Sequence, residues 1–237
     1  MNRMILALIT AALVASTTMA GASPQTDTPT NKRAAAAQWS EDGLQQIKVK
    51  GLDLVYSRPG ASLSVYKKVL INPVSVAFRR EQELSPAILI GTRIPGRIRP
   101  EDTQRIKDDL AQIVREEVLR ELGKGGYQLV DTAGEDVLEL NLRVAELYLN
   151  APNLPTADFI RTYTRSFGEM TLLAELRDAT TGDVVMRILD RSIGRDFGEF
   201  RLTTRVENAV DLRIAANAWA RALRRELDLT KGTGGQL

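Results

Sequence analysis

A leader that marks the chain for export is followed by a chain without a single cysteine, and this pairing limits what it can fold into. Arg3 supplies a positive n-region and Ile5 to Ala15 form a short apolar run. Ala20-Gly21-Ala22 is a small-residue cleavage site, with Ala20 and Ala22 as the two cut positions. The run is too short for a membrane-spanning helix, which needs about 20 residues. Exported domains commonly hold themselves together with disulfides. That route is closed here, so the fold must rest on a hydrophobic core. Apolar residues make up 43% of the chain, enough to build one. The reading is a signal peptide over 1–22, a flexible linker over 23–38, a single domain over 39–230 and a disordered tail over 231–237.

Composition also removes classes of chemistry. With neither His nor Cys, there is no thiol nucleophile, no Ser-His-Asp triad, and no imidazole or thiolate to hold a metal. Catalysis would have to run on carboxylates, Lys, Tyr, Ser or Thr. The leader holds one of the 32 basic residues and none of the 30 acidic ones. The remainder is therefore close to neutral, without the basic footprint of a nucleic-acid-binding protein. No cofactor and no nucleic acid are expected, nor a transmembrane segment in the mature form.

Patterning supplies the elements. Ile106, Leu110, Ile113, Val114, Val118 and Leu122 recur at helical steps, which predicts a helix over Pro100 to Leu122. Pro100 suits its first position, and Gly123, Gly125 and Gly126 end it. A second stripe, Ala209, Leu212, Ala216, Trp219, Leu223 and Leu227, predicts a helix to about Leu229, opened by a capping box at Thr204. Strands are predicted over Val69 to Phe78, Tyr127 to Val130 and Val137 to Leu149, with a hairpin over Gly168 to Ser192. In the strand from Val137, Leu138, Leu140, Leu142 and Val144 share one face, whereas Leu147 and Leu149 fall in the opposite phase. A bulge near Ala145-Glu146 accounts for the switch. The expected fold is α+β: a mostly antiparallel sheet of about five strands, two amphipathic helices packed on one face, and one β-α-β crossover.

No constellation of residues names a reaction. Asp131, Glu135 and Asp136 offer oxygen ligands but lack an EF-hand pattern, and read as a solvated turn. Asp178 and Asp183 flank a hairpin connector and read the same way. Arg79, Arg80, Arg93, Arg97 and Arg99 gather around a long loop and are the candidate contacts for a partner, with Arg161, Arg165, Arg191 and Arg195 as an extension if they converge. Trp219 reads as core. Trp39, at the linker boundary, either docks on the domain or serves as a contact.

From Trp39 onward the chain resembles a known family. The residues that carry this are Gly43-Leu44, Leu52-Asp53-Leu54-Val55-Tyr56, Arg58-Pro59-Gly60-Ala61-Ser62-Leu63, Tyr66-Lys67-Lys68-Val69-Leu70, and Asn72-Pro73-Val74-Ser75-Val76-Ala77-Phe78. They are similar to the domain-of-unknown-function 3313 family (DUF3313) of bacterial lipoproteins. The order of elements as far as Trp219-Ala220 fits as well. The resemblance implies an envelope protein with no catalytic residues to transfer. One departure is that Gly21 or Ser23 stands where a lipoprotein carries the cysteine that takes its lipid.

Together these features lead to an exported, non-catalytic module of the cell envelope that binds a protein or envelope component. It is expected in the periplasm or secreted, peripheral to the outer membrane. Two other readings stand beside it. One is a carboxylate-based hydrolase of envelope glycans, which needs two carboxyls roughly 5 to 9.5 Å apart. The other is a structural protein that forms homo-oligomers through its strand edges.

Overall fold

The computed structural model of the chain describes residues 30–79, 100–149, 163–164, 168–193, 201–202 and 205–233. The signal region with Ala20 and Ala22, the first part of the expected linker, and Thr204 lie outside them. Among the described residues three α-helices, α1 (Lys32–Glu41), α2 (Pro100–Lys124) and α3 (Arg205–Thr233), accompany ten strands. The strands are β1 (Gln45–Ile47), β2 (Leu54–Ser57), β3 (Lys68–Ile71), β4 (Ser75–Phe78), β5 (Gln128–Val130), β6 (Val137–Leu149), β7 (Tyr163–Thr164), β8 (Gly168–Asp178), β9 (Val184–Ile193) and β10 (Arg201–Leu202).

Eight of the strands form one sheet in the order β1-β2-β9-β8-β6-β3-β5, with β4 also paired to β6, while β7 and β10 pair separately. The α+β class is as expected, but the sheet is larger than about five strands and is mixed. Antiparallel pairing runs from β1 to β6, whereas β6–β3, β6–β4 and β3–β5 are parallel. The crossover is present, since α2 lies in the chain between β3 and its parallel neighbour β5. The single strand expected over Val69 to Phe78 is two strands. The chain breaks at Asn72-Pro73-Val74, where Pro73 has no N–H to give a ladder, and both halves run along β6.

The phase switch in β6 is a bulge. Between the pairs Ala145↔Thr171 and Tyr148↔Glu169, β6 advances one residue more than β8. Glu146 sits in the left-handed region at φ 52 to make this possible. Leu147 thereby joins Leu138, Leu140, Leu142 and Val144 on the inner face, and Ala145 turns outward.

On the inner face α2 and α3 lie side by side, as their stripes predict. Leu110, Val114, Val118 and Leu122 from α2, and Leu212, Ala216, Trp219, Leu223 and Leu227 from α3, close the main core over the sheet. The seam between the helices is charged. Glu117 and Glu121, one turn apart on α2, are 0% and 1% exposed. Glu117 accepts bonds from Arg120, from Arg213 Nη1 at 3.2 Å and from Asn217 Nδ2 at 2.9 Å. Glu121 accepts from Lys124 Nζ at 2.7 Å and from Arg224 Nε at 3.4 Å. Hydrogen bonds from Lys124 come first among the causes that hold the Glu121 carboxyl below its ordinary range.

The outer face departs most from expectation. Residues 32–38, read as flexible linker, belong to α1, whose start is capped by the Asn31 side chain accepting from the Arg33 and Ala34 amides. The helix buries Ala35 and Trp39 completely, against Leu54, Tyr56, Ala145, Leu173 and Leu189. Trp39 therefore docks on the domain, edge-on to Tyr56 with ring centroids 5.6 Å apart. At the other end α3 runs to Thr233, so residues 231–233, read as tail, are helical. Among the described residues no helix is long and apolar enough to cross a membrane.

Candidate functional site

The pairing of the strands brings five chain positions to one end of the sheet. β4 is parallel to β6, β6 antiparallel to β8, β8 to β9, and β9 to β2. The last residues of β4, β6 and β9 therefore meet the first residues of β8 and β2. Polar side chains at these positions form one continuous chain of contacts. Arg79, just past β4, donates from Nη2 to Glu169 Oε2 at 2.8 Å. Arg191 of β9 donates from Nη2 to the same oxygen at 2.6 Å. Arg79 Nε also lies 3.6 Å from Glu146 Oε2, and Thr30 Oγ1 donates to the other oxygen of Glu146 at 3.4 Å. The bulge sets this up, because the left-handed backbone at Glu146 interrupts the ladder where Arg79 arrives.

A second half of the chain ties β2 to β9. The Arg191 amide donates to Asp53 Oδ2 at 3.1 Å, and the Asp53 amide donates to Asp190 Oδ1 at 2.9 Å. Lys32 Nζ of α1 pairs with Asp53 Oδ2 at 2.6 Å. Asp190 faces inward, where Trp219 Nε1 donates to its Oδ2 at 2.6 Å. Trp219 is thus core, as expected, with its one polar atom satisfied by an acid from the sheet end.

The carboxylates separate electrostatically. Hydrogen bonds from Arg79 and Arg191 hold the Glu169 carboxyl below its ordinary range. Burial works against ionisation of Asp53, but Lys32 and the Arg191 amide outweigh it and hold Asp53 low. Burial wins at Asp190, whose carboxyl is pushed up despite the bonds from Trp219 and the Asp53 amide. Beside Trp219, an apolar cavity lined by Leu52, Val118, Leu172 and Leu223 measures only ≈ 10 Å³. That is room for about one water and not for a substrate.

Of the five arginines singled out in the sequence, Arg79 is in this network. Arg80, Arg93, Arg97 and Arg99 lie outside the described residues, as do Arg161, Arg165 and Arg195. Arg191 does converge with Arg79, on Glu169. Sequence reasoning missed Glu146, Glu169, Asp53 and Asp190. The only local signal was the phase switch at Glu146; the others look like ordinary acids at strand ends. The turn acids have structural partners: Asp136 pairs with Lys68 at 2.8 Å, and Asp178 accepts from Tyr66 and from the Thr180 and Thr181 amides. Among the described residues, no three metal-ligating groups come together.

Comparison with known proteins adds a family. The family model described as a protein of unknown function, DUF3313, matches residues 36–223. No curated protein matches the sequence. Among solved structures, a Xanthomonas campestris protein assigned to the DUF330 family model is 13% identical, with 76% of this chain and 94% of that one covered and a TM-score of 0.40. A PelC dodecamer from Paraburkholderia phytofirmans is 14% identical, with 69% and 94% covered and a TM-score of 0.31. A Helicobacter pylori homolog of a neuraminyllactose-binding hemagglutinin is 12% identical, with 71% and 91% covered and a TM-score of 0.36. With the family match spanning most of its length, the chain belongs to the DUF3313 family of proteins of unknown function.

Proposed function

We propose that this protein is an exported, non-catalytic module of the cell envelope that binds a protein partner through the charged end of its sheet. Its place is the periplasm, peripheral to the outer membrane, and the leader with its cleavage site supports export. The observation that carries the binding reading is the convergence of Arg79 and Arg191 on one oxygen of Glu169. Arg191 has five N–H groups, and among the described residues its side chain donates to Glu169 alone. Glu169 and Asp53 are held ionised, which suits charge complementarity and not proton transfer. The side chains of Arg191 and Glu146 are 48% and 44% exposed, within reach of a partner.

The test is site-specific photo-crosslinking in cells, with the crosslinker at position 146 or 193, and with position 112 on α2 as the control. Capture of a defined protein from 146 and 193 that Glu169→Gln reduces supports the reading. The same products from position 112 would refute it. Fractionation of the same cells checks the compartment.

A second reading, hydrolysis of envelope glycans, is favoured by one observation. Asp53 and Asp190 adjoin, with their carboxyls shifted in opposite directions, as an acid and its companion carboxylate would be. Against it, both Asp190 oxygens already accept bonds, and the cavity beside Trp219 is too small for a sugar. Release of reducing ends from envelope glycan by the purified protein, abolished in Asp190→Asn, would establish it.

A further inference from the structure

We propose that α1 is a detachable strap, a unit that leaves the outer face of the sheet while the core beneath α2 and α3 stays folded. Four observations lead there. The first is segregation. Ala35, Trp39 and Leu44 pack only within an outer apolar cluster, together with Leu54, Tyr56, Ala145, Leu173 and Leu189. The core between the sheet and the two long helices contains none of them. Lifting α1 bares the outer cluster and takes nothing from the inner one.

The second is polar misfit. Among the described residues, the buried side-chain atoms without a hydrogen-bond partner are Gln38 Oε1 and Trp39 Nε1, both on α1. A buried donor or acceptor without a partner favours whichever state returns it to water. The contrast with the other tryptophan is direct, because Trp219 Nε1 donates to Asp190 at 2.6 Å. Both tryptophans are buried, at 1% and 4% exposure, but Trp219 is bonded through its indole N–H and Trp39 is not.

The third is attachment. Polar ties from α1 and its flanks to the sheet are Lys32 to Asp53, Asp42 to Arg187 and Thr30 to Glu146. Lys32 is 51% and Asp53 33% exposed, so water replaces that contact readily; Arg187 is 8% exposed, and when Asp42 leaves it keeps Glu175 at 2.7 Å. The fourth is a hinge. Gly43, between α1 and β1, holds φ at +79 with open space where a side chain would be. Rotation there moves the helix without disturbing β1.

A helix of ten residues does not persist alone in water. Release therefore unwinds residues 32–42. What it uncovers is the apolar strip Leu54, Leu189 and Leu173, in register across β2, β9 and β8, with Tyr56 beside it. The position of α1 thus decides whether this strip is covered.

Hydrogen exchange on the full exported chain tests this. Amides of residues 35–44 are expected to exchange at least about 100-fold faster than those of β6, β8 and β9, as local opening requires. Their rate is expected to stay flat across low urea concentrations that leave the far-UV signal unchanged. Loss of protection in α1 and in β8 and β9 together, in one urea-dependent step, would overturn the proposal. A second measurement uses Trp219→Phe, which leaves Trp39 as the only tryptophan. Acrylamide should reach Trp39 before the far-UV transition begins, and quenching that rises only with that transition also overturns the strap. If this variant does not fold, the exchange measurement on the unaltered chain decides alone.

Discussion

The seam between α2 and α3 makes an asymmetric prediction about where its stability lies. Glu117 is fully buried, while its two cationic partners are half in water: Arg120 is 50% and Arg213 47% exposed. Removing the acid lets both arginines rehydrate. Removing the arginines strands a carboxylate that cannot. Glu117→Gln keeps the shape and an acceptor for Asn217, and should cost about 1–2 kcal/mol, the loss of charge-assisted bonds in a partly wet seam. The double variant Arg120→Ala with Arg213→Ala leaves Glu117 only the Asn217 amide at 2.9 Å. Stranding a buried charge costs about 3–5 kcal/mol, taken at the lower end because solvent screens the departing cations. For a chain of this size about 3 kcal/mol lowers Tm by roughly 6–12 °C. Adding Glu117→Leu to the double variant replaces the ion cluster with apolar packing and should recover most of the loss. Urea unfolding followed by far-UV circular dichroism, with unchanged m-values, measures all three. A double variant no worse than Glu117→Gln would refute the reasoning.

Three further outcomes are expected. The Tyr66 hydroxyl is pushed up to about 12 by burial and by its bond to Asp178; being raised, it stabilises fully below the unfolded value near 10 and ceases to do so as pH climbs to about 12. Alkaline unfolding should thus be steeper for the unaltered chain than for Tyr66→Phe, and equal slopes would count against the assignment. Glu169 is held low by Arg79 and Arg191, so its contribution is present above about pH 4.5 and is lost as pH falls through its lower folded value. Glu169→Gln should therefore flatten the acid limb of the stability profile by up to about 1 kcal/mol, which thermal melts between pH 3 and 6 would show. Glu146→Gly relieves a left-handed non-glycine residue, worth about 1–2 kcal/mol, and loses one exposed ion pair; Tm should hold or rise, and a marked fall would show that the bulge depends on the side chain.

What was legible in the sequence follows from length. β6, β8 and β9 run for ten to thirteen residues, long enough for alternation to fix both type and face. The stripes of α2 and α3 are longer still. The bulge was legible because two apolar phases cannot share one regular strand. α1 was not, because it buries only two of its ten residues, and a run of four alanines resembles a linker. The parallel pairs were hidden for another reason. β3 and β5 are three or four residues each, and β5 reaches β3 only after α2 has intervened. The site shows the same limit. Arg79 stands out as one of a basic group, but Glu169 becomes its partner only through a register that links β4, β6 and β8 across about ninety residues of chain.

The two charged networks differ in a way that separates support from contact. In the helix seam the acids are at most 1% exposed, so the energy at stake is desolvation, and it is large. At the sheet end the paired side chains are 28–51% exposed. Pairs that wet contribute about 0–1 kcal/mol each. A chain of contacts running from Glu146 through Arg79, Glu169 and Arg191 to Asp53 therefore adds little to the stability of a fold whose core lies elsewhere. What such an array does well is present fixed, alternating charge to another surface, where complementarity sets register and rate of encounter. Substitutions in the seam should thus change Tm and leave capture from positions 146 and 193 intact in the folded fraction. Substitutions at the sheet end should do the reverse.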